Sequence, residues 1–529
     1  MIGKRPAGSI SLGIALVVGN RRVPSPATGI TARSIGMKRI CAQDATIDNP
    51  ESVRFSCRTM EQYPEPSAEL NRGGLVAVLK YFGPGAIIAS VTIGSGETVF
   101  ASRGGALFGY ALLWCFVGGG VMKFVQVYTA ARFITLTGEH PIERWRYLPG
   151  PEGWVVWLLS GLTILCFPLW LSGLPMMLGG LTVWIGGLQG VPVWGDERLW
   201  GTLFAGAAIA LTMVQSYGTL ERMQTIIVGV LLSMILLATF ASQPDWLAAL
   251  YGTIVPTLPA YAPWVAERFP AIAARSPWIE LGTYLGAIGG GTQDYFGYIG
   301  MLREKAWGLL GRTGDAGREG VAIATDDANV ARGRRWLRAP LADTGGSFLL
   351  VVLFTLAFMI LGASLLHPRE VVPAGLQLLS VQAEFLTLLH PQLLYLYQFG
   401  VFTAFFGTIM GAYELYVRTT HECLRPVSQK IRAMPLAQLR PWVVGYCGVA
   451  GIAIMWSGGN PIDIVTPAAL FGGVLTCGIW CLLMVWTDHR FLPPSLRMGW
   501  LLRLMNIGSG LFLTGWGIRG VADFIAGLS

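Results

Sequence analysis

A run of 43 residues, from Gly153 to Gly195, contains no charged side chain. Other uncharged stretches are about as long as the roughly 18 to 20 apolar residues that cross the hydrocarbon core of a bilayer. They are residues 223–244, 344–366, 385–413 and 464–487. Only 13% of the 529 residues are charged, and the mean hydropathy is +0.54, whereas a soluble chain carries about 25% charged residues. The sequence therefore predicts an all-α polytopic membrane protein.

Glycines, prolines and groups of charged residues divide the chain after residue 81 into about eleven predicted transmembrane helices. The long run from Gly153 to Gly195 is assigned to one span, interrupted near Pro168, because two spans there would place the arginine-rich segment 302–341 outside. In order, the predicted spans lie near residues 83–105, 107–135, 154–185, 199–216, 222–243, 279–301, 343–366, 388–417, 441–457, 463–487 and 498–524.

Most of the 38 Lys and Arg residues fall in the N-terminal segment and in the loops on one side, and the positive-inside rule assigns that side to the cytoplasm. We expect a cytoplasmic N-terminal leader over residues 1–80, disordered or preceding a translation start at Met37 or Met60. We expect residues 81–528 to form the transmembrane transporter domain. Its long cytoplasmic loop, residues 302–341, is expected to be a solvated topology determinant or else a lipid-headgroup or regulatory site.

The composition and motifs of the sequence argue against several classes of function. The basic residues are not gathered on one face among aromatic residues, so the net charge of +8 does not indicate a nucleic-acid partner. The eight cysteines include no CxxC pair, which argues against a disulfide framework or a zinc site. Neither a phosphate-binding loop nor a nucleophile–base arrangement is evident. We therefore expect no enzyme and no cofactor, and any transport would draw on an ion gradient.

Spans 1 and 6 each contain a glycine cluster followed by a carboxylate: GSGE at 94–97 and GGGTQD at 289–294. Glycine clusters weaken a helix, and unpaired backbone at membrane depth is tolerated only where it lines a cavity or is buried in protein. Two interrupted spans at corresponding places, five spans apart, are typical of inverted-repeat secondary transporters. The sequence predicts a 5+5 inverted repeat with broken helices 1 and 6 and with span 11 appended.

Three charges lie deep within predicted spans: Glu97, Asp294 and Lys123. An ionised side chain at the bilayer centre costs at least about 2.5–3.5 kcal/mol and by default marks a transport pathway. Lys123, halfway along span 2, has two interpretations. It forms an ion pair that only fixes packing, or it is a built-in cation that changes charge or partner during transport.

Five short motifs follow one another along the chain: GPG at 83–85, FGY at 108–110, LTGEH at 136–140, YGTLER at 217–222 and VPTLP at 255–259. Their order and spacing resemble those of the NRAMP-type proton-coupled divalent-metal transporters. Span 8 is similar to that family's Ala-Ala-Gly-Gln-Ser-Ser helix. The resemblance covers roughly residues 80–525 and implies a leucine-transporter-like fold, with divalent metal cations and protons as transported partners in a bacterial inner membrane.

The ligands of that family are only partly present. Its Asp-Pro-Gly-Asn motif falls on residues 94–97, where the Asp is missing and Glu97 replaces the Asn. Its Met-Pro-His-Asn motif falls on residues 291–294, without the thioether and the imidazole. An all-oxygen set suits hard cations, so the expected metal ligands are Glu97 and Asp294. The other candidate binding residues are Gly94, Gly289, Gly291, Gln293 and Thr408.

These observations favour a secondary active transporter of hard divalent cations such as Mg²⁺ or Mn²⁺, working by alternating access with protons as the coupling ion. The lost ligands leave a second hypothesis open. In it the same fold carries a small organic solute, an amino acid or amine, and Lys123 replaces the charge of an ion. A third hypothesis is a sensor or scaffold that does not transport. The sequence indicates no oligomeric state.

Overall fold

The computed structural model describes residues 60–72, 81–83, 85, 98–214, 217–311, 316–374, 377 and 379–527. Within these ranges the secondary structure is helical, and no strand forms apart from an isolated bridge between Glu61 and Ile323. The helices of the first half are α1 Ala68–Arg72, α2 Ser102–Phe108, α3 Leu113–Thr137, α4 Pro141–Trp145, α5 Trp154–Ile185, α6 Glu197–Val214, α7 Tyr217–Ala241, α8 Trp246–Ile254, α9 Pro263–Arg268, α10 Pro270–Ala273, α11 Pro277–Ala287 and α12 Thr292–Met301.

The second half begins with a 3₁₀ turn, Leu302–Glu304, and two π-helical segments lie within it, at Gly362–Leu366 and Ala469–Leu475. Its helices are α13 Asp327–Trp336, α14 Arg338–Leu361, α15 Ala383–Thr387, α16 Leu393–Leu424, α17 Gln429–Ala433, α18 Leu436–Trp456, α19 Pro461–Ala468, α20 Thr476–Phe491 and α21 Trp500–Ala526. Predicted spans 2 to 11 correspond to α3, α5, α6, α7, α11 with α12, α14, α16, α18, α19 with α20, and α21.

Among the described residues, five helical stretches are long and apolar enough to cross a membrane, and they include α5, α14, α16, α18 and the stretch from α19 to α20. A sixth is added if the end of α7 and α8, bent by 113° across a short break, is one span. The predicted all-α polytopic class is therefore confirmed. The number of eleven spans stays a prediction.

The helix α5 corrects one expectation. It runs without interruption through Pro168 and Pro175 for 32 residues, so the predicted break near Pro168 is wrong. A proline removes the backbone N–H that would bond to the carbonyl four residues earlier. Here the carbonyl of Ile164 accepts a 3.4 Å hydrogen bond from the Tyr446 hydroxyl of α18 instead. A neighbouring span thus supplies a donor that the proline lacks.

The predicted break in span 6 is confirmed. Helix α11 ends at Ala287 and α12 begins at Thr292. Between them Gly289 has φ +69° and Gly290 has φ +86°, which is the left-handed region that side chains other than glycine rarely adopt. The corresponding cluster of span 1, GSGE at 94–97, lies outside the described residues. The break of span 1 therefore stays a prediction.

Span 10 packs against this break through backbone contact. A Cβ atom on Gly286 would lie 2.2 Å from the carbonyl oxygen of Ala469, and one on Gly473 would lie 2.2 Å from the carbonyl oxygen of Gly286. Small residues at helix interfaces in membranes allow such close approach of two backbones. The π-helical segment Ala469–Leu475 lies directly at this contact.

Residues 60–72, which fall within the predicted disordered leader, are folded onto the segment 302–341. The backbone N–H of Tyr63 donates to Asn329 Oδ1 at 2.7 Å, and its hydroxyl donates to the carbonyl of Leu136 at 3.0 Å. Trp336 Nε1 donates to the carbonyl of Pro64 at 2.8 Å. These contacts connect residues 60–72 to other parts of the chain, and the domain boundary at residue 80 stays a prediction. Residues 1–59 and 73–80 lie outside the described residues.

The segment 302–341 also differs from a solvated loop. It contains α13 and the start of α14, and several of its apolar side chains are buried, including Trp307, Ile323 and Trp336. Sequence reasoning weighted its eight arginine and lysine residues and missed these apolar positions, which give the segment a packed interior.

Candidate substrate site in the broken sixth span

The unwound residues between α11 and α12 surround the ammonium of Lys123. Its Nζ donates to the carbonyl oxygens of Gly286 at 3.1 Å, Ile288 at 2.6 Å and Gly290 at 2.5 Å, and the side chain is 0% exposed. These carbonyls belong to the C-terminal end of α11, where the helix dipole is negative. The lysine therefore neutralises the broken end of the helix.

Tyr295 supports the same loop from the other half of the span. Its hydroxyl donates to the carbonyl of Gly289 at 2.8 Å and approaches that of Gly290 at 3.2 Å. Buried backbone carbonyls need such partners because water is excluded at membrane depth. Lys123 and Tyr295 together hold the break in one conformation.

Asp294 stands in the first turn of α12, where the helix dipole favours a negative charge. Its Oδ2 accepts a 2.9 Å hydrogen bond from the backbone N–H of Gly291 and a 3.0 Å bond from Nε2 of Gln293. The side chain is 4% exposed. Both bonds from the described residues go to Oδ2, which leaves Oδ1 as an acceptor that a cation can approach.

Gln293 connects the site to spans 8 and 10. Its backbone carbonyl accepts a 2.6 Å bond from Thr419 of α16. Its side-chain Oε1 is buried without a hydrogen-bond partner among the described residues, and it lies 2.6 Å and 2.8 Å from the positions that a Cβ atom would take on Gly291 and Gly472. The amide thus offers one unoccupied oxygen next to Asp294.

Three hydroxyl groups from three spans meet behind the break. Thr292 Oγ1 lies 3.2 Å from Thr163 Oγ1 of α5 and 2.9 Å from Thr476 Oγ1 of α20, and it donates to the carbonyl of Gly472 at 3.0 Å. The Cys477 thiol donates to the same carbonyl, at 3.6 Å. These contacts fix the start of α12 against its neighbours.

The structure brings together most of the predicted site. Gly289, Gly291, Gln293, Asp294 and Lys123 all lie at the break, as the contacts above show. Glu97 and Gly94 lie outside the described residues, so their part in the site stays a prediction.

Thr408 is buried in α16, but the threonine of that helix that contacts Gln293 is Thr419. Eleven residues separate the two threonines, or about 16 Å at 1.5 Å per residue. Its part in the site likewise stays a prediction. Among the described residues, no group of three or more His, Cys, Asp and Glu side chains could hold a metal ion.

Sequence reasoning missed Gln126 and Tyr295. Gln126 is 0% exposed, and neither its Oε1 nor its Nε2 has a nitrogen or oxygen partner within hydrogen-bond distance among the described residues; its neighbour is the Cys477 thiol. The available signal was a glutamine three residues after a buried lysine in an apolar span, because residues three apart share a helix face.

Charged contacts close the gap between spans at the end of span 6 that lies opposite the segment 302–341. Arg103 of α2 forms a buried ion pair with Glu280 of α11 at 3.3 Å, and its Nη1 donates to the carbonyl of Pro373 at 2.8 Å. Glu280 also accepts a 2.6 Å bond from the Tyr284 hydroxyl. Arg275 extends the network to span 10, where it pairs with Asp463 at 3.0 Å. Spans 1, 6 and 10 therefore meet in one ionic cluster.

A second closure lies on the side of the segment 302–341. Asp343 of α14 accepts hydrogen bonds from the backbone N–H groups of Gly83 at 2.7 Å and Gly85 at 3.0 Å, and from the Tyr298 hydroxyl at 2.6 Å. This carboxylate is 0% exposed. It links the start of span 1 to both span 6 and span 7.

Residues 85–273 match the family model described as natural resistance-associated macrophage protein-like, or Nramp. The chain resembles the Nramp-like family. The divalent metal cation transporter MntH of Burkholderia ambifaria is 26% identical over 195 residues, which are 36% of this chain and 42% of that protein. The metal transporter Nramp3 of Oryza sativa subsp. japonica is 26% identical over 185 residues, 34% of this chain and 32% of that protein. These alignments confirm the resemblance expected from the motifs.

The chain matches less than half the length of these Nramp-like relatives, 42% and 32%. The likeness of fold extends further. The match to a mutant of the manganese transporter of Eremococcus coleocola covers 89% of this chain and 90% of that transporter's chain, with a TM-score of 0.61 at 16% identity. The same transporter with an aromatic bis-isothiourea substituted compound gives a TM-score of 0.60, also at 16% identity, over 90% and 92% of the two chains. At this identity the likeness shows the fold alone.

Proposed function

We propose that the chain moves divalent metal cations across a membrane by alternating access, as a secondary transporter without enzymatic activity. The observation that carries the proposal is the buried carboxylate of Asp294 directly after the break in span 6. An ionisable side chain in a span marks a pathway by default, and secondary transporters bind cargo at broken spans near the midplane. The names of the relatives, which describe divalent metal cation and manganese transport, support the same cargo.

The donors at the break favour hard cations. Asp294 Oδ1, Gln293 Oε1 and the glycine carbonyls are all oxygen atoms, which are the ligands of Mg²⁺ and Mn²⁺. Mg²⁺ keeps several waters and uses one or two carboxylates. We propose Asp294 as one of these and Glu97 as the other. Water and backbone oxygen atoms would fill the remaining positions.

The charge of Lys123 is compatible with a nearby dication. Three carbonyl dipoles already surround the ammonium, so its field at the cargo is reduced and its N–H groups point into the break. The same contacts weaken the hypothesis of an organic solute, because that hypothesis needs the ammonium for the cargo.

We propose protons as the coupling ion, since a buried carboxylate can carry a metal cation and a proton in turn. The ionic cluster at Glu280 and the carboxylate Asp343 would open alternately. We further propose that the N-terminus and the segment 302–341 face the cytoplasm of a bacterial inner membrane, on the basis of the positive-inside rule.

Uptake into sealed proteoliposomes tests this function, with Mn²⁺ and Mg²⁺ as separate substrates and a pH dye inside. We expect saturable entry with wild type, acidification of the lumen, and at least a tenfold loss of entry with Asp294→Asn. Glu152→Gln serves as the control, because Glu152 is 64% exposed in a loop. Entry of an amino acid or amine without any metal would support the organic solute instead.

A further inference from the structure

The amide of Gln126 is a buried polar group whose hydrogen bonds are not made by the described residues. Neither Oε1 nor Nε2 has a nitrogen or oxygen partner within hydrogen-bond distance among the described residues, and the side chain is 0% exposed. The neighbouring group is the Cys477 thiol, which is only a weak donor and acceptor. An unsatisfied buried donor or acceptor costs about 1–3 kcal/mol, so such groups have a bound water or ligand as partner when nothing in the protein serves. Gln126 therefore points to a polar occupant at this place.

Gln126 faces the broken span. It lies three residues after Lys123 in α3, and residues at this spacing share a helix face. The Gln126 amide interacts with the Cys477 thiol of α20, and that thiol and Thr292 of the broken span both donate to the carbonyl of Gly472. These three side chains therefore border one region between spans 2, 6 and 10.

A second orphaned amide oxygen borders the same region. Gln293 Oε1 has no partner among the described residues, while its Nε2 is held by Asp294 at 3.0 Å. It points toward Gly472, five residues before Cys477 in span 10. Gln293 thus lies beside Gly472 and Gln126 beside Cys477, so both amides border the same part of span 10.

We propose that Gln126 and Gln293 form an amide subsite that holds the water shell of a partly hydrated divalent cation bound at Asp294. This inference rests on the proposed function. A cation held by one or two carboxylates keeps several of its waters, as Mg²⁺ does in proteins. Metal-bound water is a strong donor, and the two amide oxygens accept from it. Gln126 is then a specificity-determining residue that favours strongly hydrated cations.

The inert complex hexaamminecobalt(III) tests the outer-sphere contact directly, because it cannot exchange its shell for protein ligands. The measurement is binding to purified protein by isothermal titration, for this complex, Mg²⁺ and Mn²⁺. We expect Gln126→Leu to weaken binding of hexaamminecobalt and Mg²⁺ at least tenfold and binding of Mn²⁺ less. Gln126→Asn keeps the amide on a shorter side chain, so its affinity for hexaamminecobalt and Mg²⁺ should lie between those of wild type and Gln126→Leu. Gln438→Leu, at an exposed glutamine, is the control.

The outcomes separate this inference from the proposed function. If wild type carries metal into proteoliposomes while Gln126→Leu binds every cation as wild type does, the amide subsite is wrong and the transport function stands. If wild type neither binds nor carries a metal, both fail. If Gln126→Leu does not elute as a monodisperse protein, Gln126→Asn decides, and unchanged binding by that variant contradicts the subsite.

Discussion

Tyr298 donates a 2.6 Å hydrogen bond to Asp343, which joins the second half of the broken span to the start of α14. The same carboxylate receives the backbone N–H groups of Gly83 and Gly85. One buried side chain therefore ties three spans together on the side of the segment 302–341. Any opening on this side must break these bonds.

We predict that Asp343→Asn loosens this closure. An amide cannot accept all the bonds that the carboxylate accepts, because one of its two terminal atoms is a donor. In a Ser347→Cys background, whose side chain lies beside Gly85, we expect a maleimide to label Cys at 347 several times faster. Peptide mass spectrometry separates this site from the native cysteines. Tyr298→Phe should shift the rate in the same direction by less, and equal rates in all three proteins would falsify the closure.

Lys123→Met should destabilise the fold. The substitution keeps an unbranched chain that is one atom shorter and removes the donor to three carbonyls, and a hydrogen bond to a charged group contributes about 1.5–3 kcal/mol. The variant no longer buries a charged ammonium, and this gain offsets part of the lost hydrogen bonding. We therefore expect the free energy of unfolding to fall by about 2 kcal/mol. Thermal unfolding followed by tryptophan fluorescence measures it. Lys430→Met, at an exposed lysine, should leave the melting temperature unchanged; a stable Lys123→Met protein would mean that the lysine does not hold the break.

His140 makes the stability depend on pH. It lies between α3 and α4, where its Nδ1 accepts from the backbone N–H of Ile142 at 3.2 Å. Burial lowers the pKa of His140 from 6.5 to about 4, although the nearby Glu422 and Glu143 act in the opposite direction. As the pH falls, the His140 ring therefore takes up a proton in the unfolded state at a higher pH than in the folded state. The contribution of the neutral His140 to the free energy of unfolding is complete above pH 6.5 and is lost as the pH falls toward 4.

His140→Asn tests this pH dependence, because asparagine can still cap the helix. We expect the melting temperature of wild type to fall from pH 6.5 to pH 4 more steeply than that of the variant. Parallel curves for the two proteins would show that another group titrates instead.

Gly286→Ala should disrupt the contact between spans 6 and 10. The added Cβ would lie 2.2 Å from the carbonyl oxygen of Ala469, and backbone atoms cannot move aside cheaply. Overpacking of this kind costs about 1–3 kcal/mol, which should appear as a lower melting temperature and slower uptake. Gly161→Ala in α5 is the matched control, since nothing lies within 4 Å of its Cβ position. A similar effect of both substitutions would point to helix propensity and not to packing.

The sequence predicted those parts of the site that lie close together along the chain. The glycine triplet at 289–291 and the carboxylate after it are local features, and their physical consequences do not depend on the rest of the fold. The depth of Lys123 also follows from its position in an apolar run. Local pattern was sufficient for these residues because backbone strain and charge burial act within a few residues.

The partners of these residues could not be predicted in the same way. That Lys123 points to Ile288, 165 residues away, depends on how spans 2 and 6 pack. The continuity of α5 through Pro168 depends on Tyr446, and the folding of residues 60–72 depends on Asn329 and Trp336. Each is a contact between distant parts of the chain. Periodicity and composition describe single elements and contain no such pairing.

The π-helical segment Ala469–Leu475 determines the direction, around the helix axis, of every side chain that follows it in span 10. A π-bulge adds one residue to a helical turn, and one residue corresponds to about 100° of rotation. A chain shorter by one residue here would continue as a regular α-helix, with Thr476, Cys477 and Trp480 turned away from the broken span. The direction of the side chains that span 10 presents to the broken span thus depends on a single extra residue. A one-residue deletion would rotate half of span 10 while leaving every remaining side chain chemically unchanged.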